Sequence, residues 1–231
     1  MIGVDALVVV AMADEAEPFL ARAEVTGPTT EVGGSVQHLV VIAGRTVLLV
    51  RSGIGLVNAA AAASAALAVC RPKALVSAGS AGGLGADVRV GDVIVADETL
   101  YSAADATEFG YVLGQLPGMP ERYVSDTRLV AAATASGTPE VPTRQGLVVS
   151  SDSFVTARIV HDVRERFPQA LSTDMESAAL SQVAHLFGVP FVSVRGVSDL
   201  CGPTAGVDHT VRVDDASQRS ATVVLGMLDR L

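Results

Sequence analysis

Tryptophan is absent from this chain, aromatic residues make up only 4% of it, and it holds just two cysteines. Cys70 and Cys201 lie far apart and form no C-x-x-C unit, so nothing points to a disulfide scaffold or a zinc site, and a reducing compartment is expected. Basic residues are also scarce. The 16 Lys and Arg stand against 25 Asp and Glu, a net charge of −9, which argues against a nucleic acid or other polyanion as partner. The apolar runs fall well short of a membrane span, and no basic region precedes an apolar one near Met1. The expectation is a soluble cytoplasmic protein with no membrane partner. His38, His161, His185 and His209 are scattered and form no ligand motif, so neither a metal nor a cofactor is expected.

What the chain does have is a hydrophobic content of 49% over 231 residues, enough for a large core without cross-links. No Pro/Ser-rich or charged linker divides it, which predicts a single domain over residues 1–231. Ala6 to Ala11 reads as a strand buried on both faces, followed at once by Met12, Ala13, Asp14 and Glu15. Acids in that position are commonly first-turn helix charges. Two further strands, His38 to Ala43 and Thr46 to Val50, read as a hairpin or meander, with His38 in an ordinary structural position. An alanine-rich helix from about Leu56 to Val69 follows the turn Arg51-Ser52-Gly53-Ile54-Gly55. A strand from Ala74 to Ala78 then opens into Gly79-Ser80-Ala81-Gly82-Gly83-Leu84, read as a glycine-rich turn. Neither glycine stretch matches a dinucleotide fingerprint or a P-loop.

The most informative stretch is Thr173 to Leu180, Thr-Asp-Met-Glu-Ser-Ala-Ala-Leu. Asp174 and Glu176 sit where a strand-to-helix turn lets one acid face a cleft while the other caps the helix or stays in solvent. The helix pattern stops at Gly188 and Pro190, and Phe191 to Val197 reads as a buried strand running out into Ser198 and Asp199. Ligands of open α/β sheets bind beyond the carboxyl ends of strands, so Glu176 and Asp199 are expected to share a crevice. Phe109 and Tyr111, in a loop from Asp105 to Pro117, either plug a local core or form a binding wall or subunit interface. Phe154 is either core or a stacking face for a planar base.

Taken together, Ala11-Met12 with Glu15, Ser52-Gly53-Ile54-Gly55, Gly79 to Leu84, Phe109-Gly110-Tyr111, Gly114 to Gly118, Ser153-Phe154, Met175-Glu176, Val194-Arg195 and Ser198-Asp199 resemble the 5′-methylthioadenosine/S-adenosylhomocysteine nucleosidases of the nucleoside phosphorylase superfamily. The match is ordered and runs from the first strand to Asp199. The resemblance implies a three-layer α/β/α domain around a mixed sheet, a nucleoside phosphorylase/hydrolase-like fold. It implies that Glu15 activates water, that Asp199 protonates the purine, and that Glu176 holds the ribose hydroxyls with Met175 against the sugar. Phe154 would stack on adenine, Val155 would offer backbone contacts, Ile54 would line the substrate site, and Ser80 and Arg195 would be polar supports. Phe109, Tyr111 and Pro117 would reach a neighbouring subunit's pocket, which implies a homodimer.

N-glycosidic cleavage develops positive charge on the sugar and negative charge on the base, so these residue types suit it. A phosphate-dependent phosphorylase is the rival within the superfamily; it needs cationic or amide-rich phosphate holders, and only Arg51 stands near a relevant turn. A nucleoside-binding protein without catalysis is the rival of another class. The chain departs from the family at Tyr101-Ser102-Ala103-Ala104-Asp105, where a histidine and an acid are missing, and after Asp199. There, His209 stands where the family usually has a phenylalanine beside the 5′ group. That predicts tolerance of a polar 5′ group, as in S-adenosylhomocysteine or aminofutalosine, unless Cys201 to Asp215 is a solvent-facing loop. A closing amphipathic helix is expected from about Asp214 to Leu231.

Overall fold

Most of the β-branched apolar runs become strands of a large mixed sheet in the computed structural model, which describes residues 1–230, while the alanine-rich run becomes a helix. The chain begins β1 (Ile2–Val4), β2 (Ala6–Val10), α1 (Ala13–Leu20), β3 (Val25–Val32), β4 (Ser35–Ile42) and β5 (Arg45–Arg51). It continues α2 (Leu56–Val69), β6 (Cys70–Pro72), β7 (Leu75–Gly83), β8 (Val93–Tyr101) and β9 (Tyr123–Val124). Next come α3 (Thr127–Thr134), β10 (Thr143–Ser150), α4 (Val160–Arg166) and β11 (Ala170–Asp174). The last elements are α5 (Ser177–Phe187), β12 (Phe191–Asp199) and α6 (Ala205–Asp229); Leu231, at the end of the expected closing helix, lies outside the described residues.

The main sheet runs β11-β10-β8-β12-β7-β2-β5-β4-β3. Parallel pairs (β2 with β5 and β7, β7 with β12, β8 with β10, β10 with β11) are joined by antiparallel ones. The sheet also bends back on itself, because β11 pairs antiparallel with the end of β7, Ser172 opposite Gly83 and Thr173 opposite Gly82.

Two helix layers cover the sheet. Because side chains alternate across a strand, β2 sends Val8 and Val10 to one face, where α1, α3 and α6 contribute Phe19, Val130, Val224 and Met227. It sends Leu7 and Val9 to the other, where α2 and α5 contribute Ala63, Leu180 and Val183. The result is the three-layer α/β/α arrangement.

Two expectations are corrected. Gly79 to Gly83 does not turn away; it remains in β7, held by pairing to β12 as far as Gly82 and to β11. The closing helix starts at Ala205 rather than near Asp214, so the segment after Asp199 is not a loop as far as Asp215. Tertiary packing overrides the weak local propensity of Gly206, Val207, Thr210 and Val211. Ala205, Val213 and Ala216 are buried, and at Gly196 a Cβ would lie 2.1 Å from the Ala216 carbonyl oxygen. The backbone of α6 therefore rests directly on β12.

No helix among the described residues is long and apolar enough to cross a membrane. Cys70 and Cys201 are both free and buried.

Candidate active site

The ends of β2, β5, β7, β10, β11 and β12, with the turns that follow them, converge on one cleft of about 540 Å³ counted to its open mouth. Glu15, Ile54, Ser80, Phe154, Val155 and Met175 line it, as do Glu176, Arg195, Asp199 and His209. All ten were expected at a substrate site from the sequence.

Glu15 is 2% exposed. One carboxylate oxygen, Oε2, accepts from the Ala11 amide at 2.8 Å and the Met12 amide at 3.2 Å. The other, Oε1, accepts from the Ser80 amide at 2.8 Å and the Ser80 hydroxyl at 2.9 Å. Glu15 is thus both the first-turn acid that braces its own helix and a cleft residue held by β7. Gly79 makes this possible. Its φ is +135°, and a Cβ there would stand 2.3 Å from Glu15 Oε1.

At the β11–α5 turn the two acids divide as the sequence allows. Asp174 Oδ1 accepts from the amides of Glu176 (3.3 Å) and Ser177 (3.1 Å), capping α5, and takes a 2.5 Å bond from the Ser150 hydroxyl. The Ser177 hydroxyl donates to its other oxygen. Glu176 Oε1 accepts from the Gly55 amide at 2.9 Å. Burial pushes the Glu176 carboxyl up to about 7, against the pull of Arg195 and with the repulsion of Asp174 and Glu15.

Arg195, 1% exposed, joins the two acids. Its Nε lies 3.2 Å from Asp174 Oδ2, an ion pair too oblique to count as a hydrogen bond, and Nη2 lies 3.3 Å from Glu176 Oε2. Nη2 also donates to Ser77 Oγ at 2.6 Å, while Nη1 donates to the Ser80 carbonyl at 3.3 Å. Ser77, Ser177 and Ser193 form a buried hydroxyl chain beneath it. These serines were missed from sequence, since single serines in strands give no signal until the sheet stacks them. Asp152 was missed too. Its Oδ1 accepts the Leu56 amide at 2.8 Å and ties the loop carrying Phe154 to the turn carrying Ile54.

Asp199 is 1% exposed; Oδ1 accepts the Cys201 amide at 2.9 Å and Oδ2 the Ser198 hydroxyl at 3.0 Å. Burial raises its carboxyl above the ordinary range, opposed by those two donors and by His209. Ser198 Oγ is also 3.2 Å from His209 Nδ1, and the His209 ring meets Phe154 edge-on at 5.6 Å. Phe154 is 43% exposed, so it is a cleft wall and not core. The end of β7 spaces the two acids. Ser80 holds Glu15 while Gly82 is the register partner of Asp199, and two residues of strand span roughly 7 Å.

Phe109, 83% exposed, Tyr111 and Pro117 lie on the loop beyond β8 and do not line this cleft within their own chain. Arg51 does not line it either. His38 is in an exposed contact with Thr29 at 3.2 Å, an ordinary structural role.

The phosphorylase superfamily model matches residues 5–231, and a 5′-methylthioadenosine/S-adenosylhomocysteine nucleosidase of Chromohalobacter salexigens is 38% identical over 96% of this chain and 95% of its own length. The chain belongs to this nucleosidase family of the phosphorylase superfamily. A nucleosidase of the same description from Halalkalibacterium halodurans is 41% identical over 82% of this chain and 83% of its own. The crystal structure of the Neisseria meningitidis nucleosidase in complex with methylthio-immucillin-A is similar with a TM-score of 0.94 at 33% identity, covering 100% of both chains. Family membership accords with three of the cleft's four carboxylates, Glu15, Glu176 and Asp199, each in a different setting, while the fourth, Asp174, caps α5.

Proposed function

We propose that this protein hydrolyses the N-glycosidic bond of 5′-substituted adenosines, methylthioadenosine and S-adenosylhomocysteine, releasing adenine and a 5′-thio-ribose. The observation that carries the reading is the convergence of Glu15, Glu176 and Asp199 on one cleft. Asp199 is the general acid: a buried carboxyl with a raised pKa keeps a proton to give to the purine as the bond breaks. Glu15 is the base that takes a proton from the attacking water, with four donors fixing its orientation. Ser80 steadies Glu15, and Arg195 steadies Glu176.

Glu176 accepts the ribose hydroxyls, and its charge together with that of Glu15 favours positive charge developing on the sugar. Met175 packs on the ribose, Ile54 closes the same side, Phe154 stacks on adenine and Val155 offers its backbone to the base edge. His209 contacts the 5′ group and favours a polar one, so His209→Phe should move the preference from S-adenosylhomocysteine toward methylthioadenosine. The working unit is a homodimer in which Phe109, Tyr111 and Pro117 complete the partner's pocket; the exposure of Phe109 supports this.

The phosphorylase reading is disfavoured because Arg195, the guanidinium lining the cleft, is spent on Asp174 and Glu176. The test follows adenine and sugar from each nucleoside with and without phosphate. Adenine and free sugar without phosphate are expected. Release only with phosphate, as a sugar 1-phosphate, would make the protein a phosphorylase, and binding without release a nucleoside-binding protein. Glu15→Gln and Asp199→Asn should each lower turnover by roughly 10²- to 10⁴-fold while retaining adenine binding; full turnover by either would remove its assigned role.

A further inference from the structure

Each hydrolytic cycle, on the reading above, leaves Asp199 without its proton. The acid gives one proton to the departing purine, while the proton of the attacking water goes to Glu15. Before the next cycle Asp199 must be recharged, yet it is 1% exposed and its neighbour Ser198 is fully buried. Among the described residues, the titratable ring in contact with this pair is His209, which is half-buried on the first turns of α6.

The hydrogen-bond arithmetic around Ser198 is restrictive. Its oxygen lies 3.0 Å from Asp199 Oδ2, 3.3 Å from the Ala81 carbonyl and 3.2 Å from His209 Nδ1, and a hydroxyl has one hydrogen to donate. When Asp199 is a carboxylate, the charged oxygen is the strongest acceptor and takes that hydrogen. The serine oxygen is then an acceptor toward Nδ1, so the imidazole must present Nδ1–H. The atoms line up as Nδ1–H to Ser198 Oγ, and Ser198 O–H to Asp199 Oδ2.

We propose that His209, acting through Ser198, is the route by which Asp199 regains its proton from solvent between turnovers. In the transfer, the Nδ1–H bond breaks as a new O–H bond forms on Ser198, and the serine's original hydrogen moves to Asp199 Oδ2. Nε2 carries the hydrogen taken from solvent, leaving a neutral imidazole, a neutral hydroxyl and a protonated carboxyl; loss of the Nε2 hydrogen to solvent and uptake of one at Nδ1 then returns the ring to its starting tautomer before the next turnover. The charges favour this direction. The fresh Asp199 anion draws a proton onto the ring, and imidazole exchanges protons with water near neutral pH.

The other charged groups around His209 are accounted for. Asp208 precedes it on α6 and is engaged by the Thr204 hydroxyl at 2.7 Å and, at 4.0 Å, by Arg212. On the facing loop Asp152 is turned to the Leu56 amide. Across the cleft Glu15 is bound by four donors, and burial holds the Cys201 thiol in its neutral form, raised to about 12. The edge-on contact with Phe154 sets the plane of the ring. His209 is therefore a positioning and proton-relay residue for the acid.

The test separates the first turnover from later ones by quenched-flow measurement of adenine at pH 7.5 and above, using excess methylthioadenosine. In His209→Phe and Ser198→Ala the rate of later turnovers relative to the first, each compared within the same variant, is expected to fall about tenfold, producing a burst the parent protein lacks, whatever change the 5′ contact or the lost bond to Asp199 makes in the first turnover itself. Added imidazole should restore steady turnover in His209→Ala but not in Ser198→Ala, because only the former leaves a ring-sized vacancy. Unchanged steady turnover in His209→Phe would overturn the relay, as would a first turnover slowed as much as the later ones without imidazole rescue. Failure of the parent protein to release adenine would instead overturn the reaction itself, and the relay with it.

Discussion

Glu176 combines two demands that pull its proton in opposite directions. To accept the ribose hydroxyls it must be a carboxylate, yet burial pushes it up to about 7. Apparent affinity for the nucleoside should therefore weaken as pH falls through about 7, seen as a rising KM; Glu176→Gln should bind poorly and show no such limb. The stability consequence has the opposite slope. Below the ordinary glutamate value of 4.5 the carboxyl is protonated in both folded and unfolded chains and contributes no pH dependence. Between 4.5 and about 7 the unfolded chain has released the proton while the folded one still holds it, so stability falls as pH rises and levels off above that window. The ligand-free Tm should drop more between pH 5 and pH 8 than it does in Glu176→Gln. Equal slopes would show that Glu176 does not titrate there. At this scale the acids were legible because strand-to-helix turns restrict where a carboxylate can point. Arg195's locking of Asp174 to Glu176 depends on β12 lying beside β7, which no local pattern reveals.

Among the elements, the end of β7 does the most to organise the cleft. It offers the Ser80 amide and hydroxyl to Glu15, the Ala81 carbonyl to Ser198 and a pairing position to Asp199. From composition this stretch reads as a turn, since glycine is poor in strands. It is a strand because small residues let Glu15, Cys201 and the neighbouring strands approach its backbone. Gly79→Ala should test the point: the Cβ would overlap Glu15 Oε1, and φ of +135° is hard for any L side chain. Turnover should fall at least 10²-fold, the scale of losing a positioned base, and the Tm should fall as well. Combining it with Glu15→Ala separates the two causes. Removing the carboxylate should relieve the overlap but not the backbone strain, so the double variant should lose less stability than the sum of the singles. Strict additivity would mean that Gly79 is not there to admit Glu15. The start of α6 was hidden for a related reason. Gly206 and the β-branched residues after it disfavour a helix locally, and only the burial of Ala205 and Val213 in the folded chain shows why one forms.

At the scale of the whole molecule, the layers and the converging strand ends followed from buried apolar runs broken by glycine and acid, but the loop proposed to complete the pocket does not line the cleft of its own chain. Phe109, 83% exposed on an irregular loop in a chain with few aromatics, is costly to leave in water. If that loop completes the partner's pocket, activity should be recoverable between two defective chains. A Glu15→Gln chain lacks the base but carries an intact loop; a Phe109→Ser/Tyr111→Ser chain has the base but a damaged loop. Each homodimer should be impaired, the first in turnover and the second chiefly in KM for methylthioadenosine. In a heterodimer one site draws its base from the second chain and its loop from the first, so mixing equal amounts under conditions of subunit exchange should restore methylthioadenosine binding and turnover at one of the two sites of each heterodimer, about one site in four of the mixture. Sedimentation would report the dimer, and the adenine assay the regained site. Recovery no better than the weighted average of the parent homodimers would mean that each chain builds its pocket alone, and that the exposed ring serves some other contact.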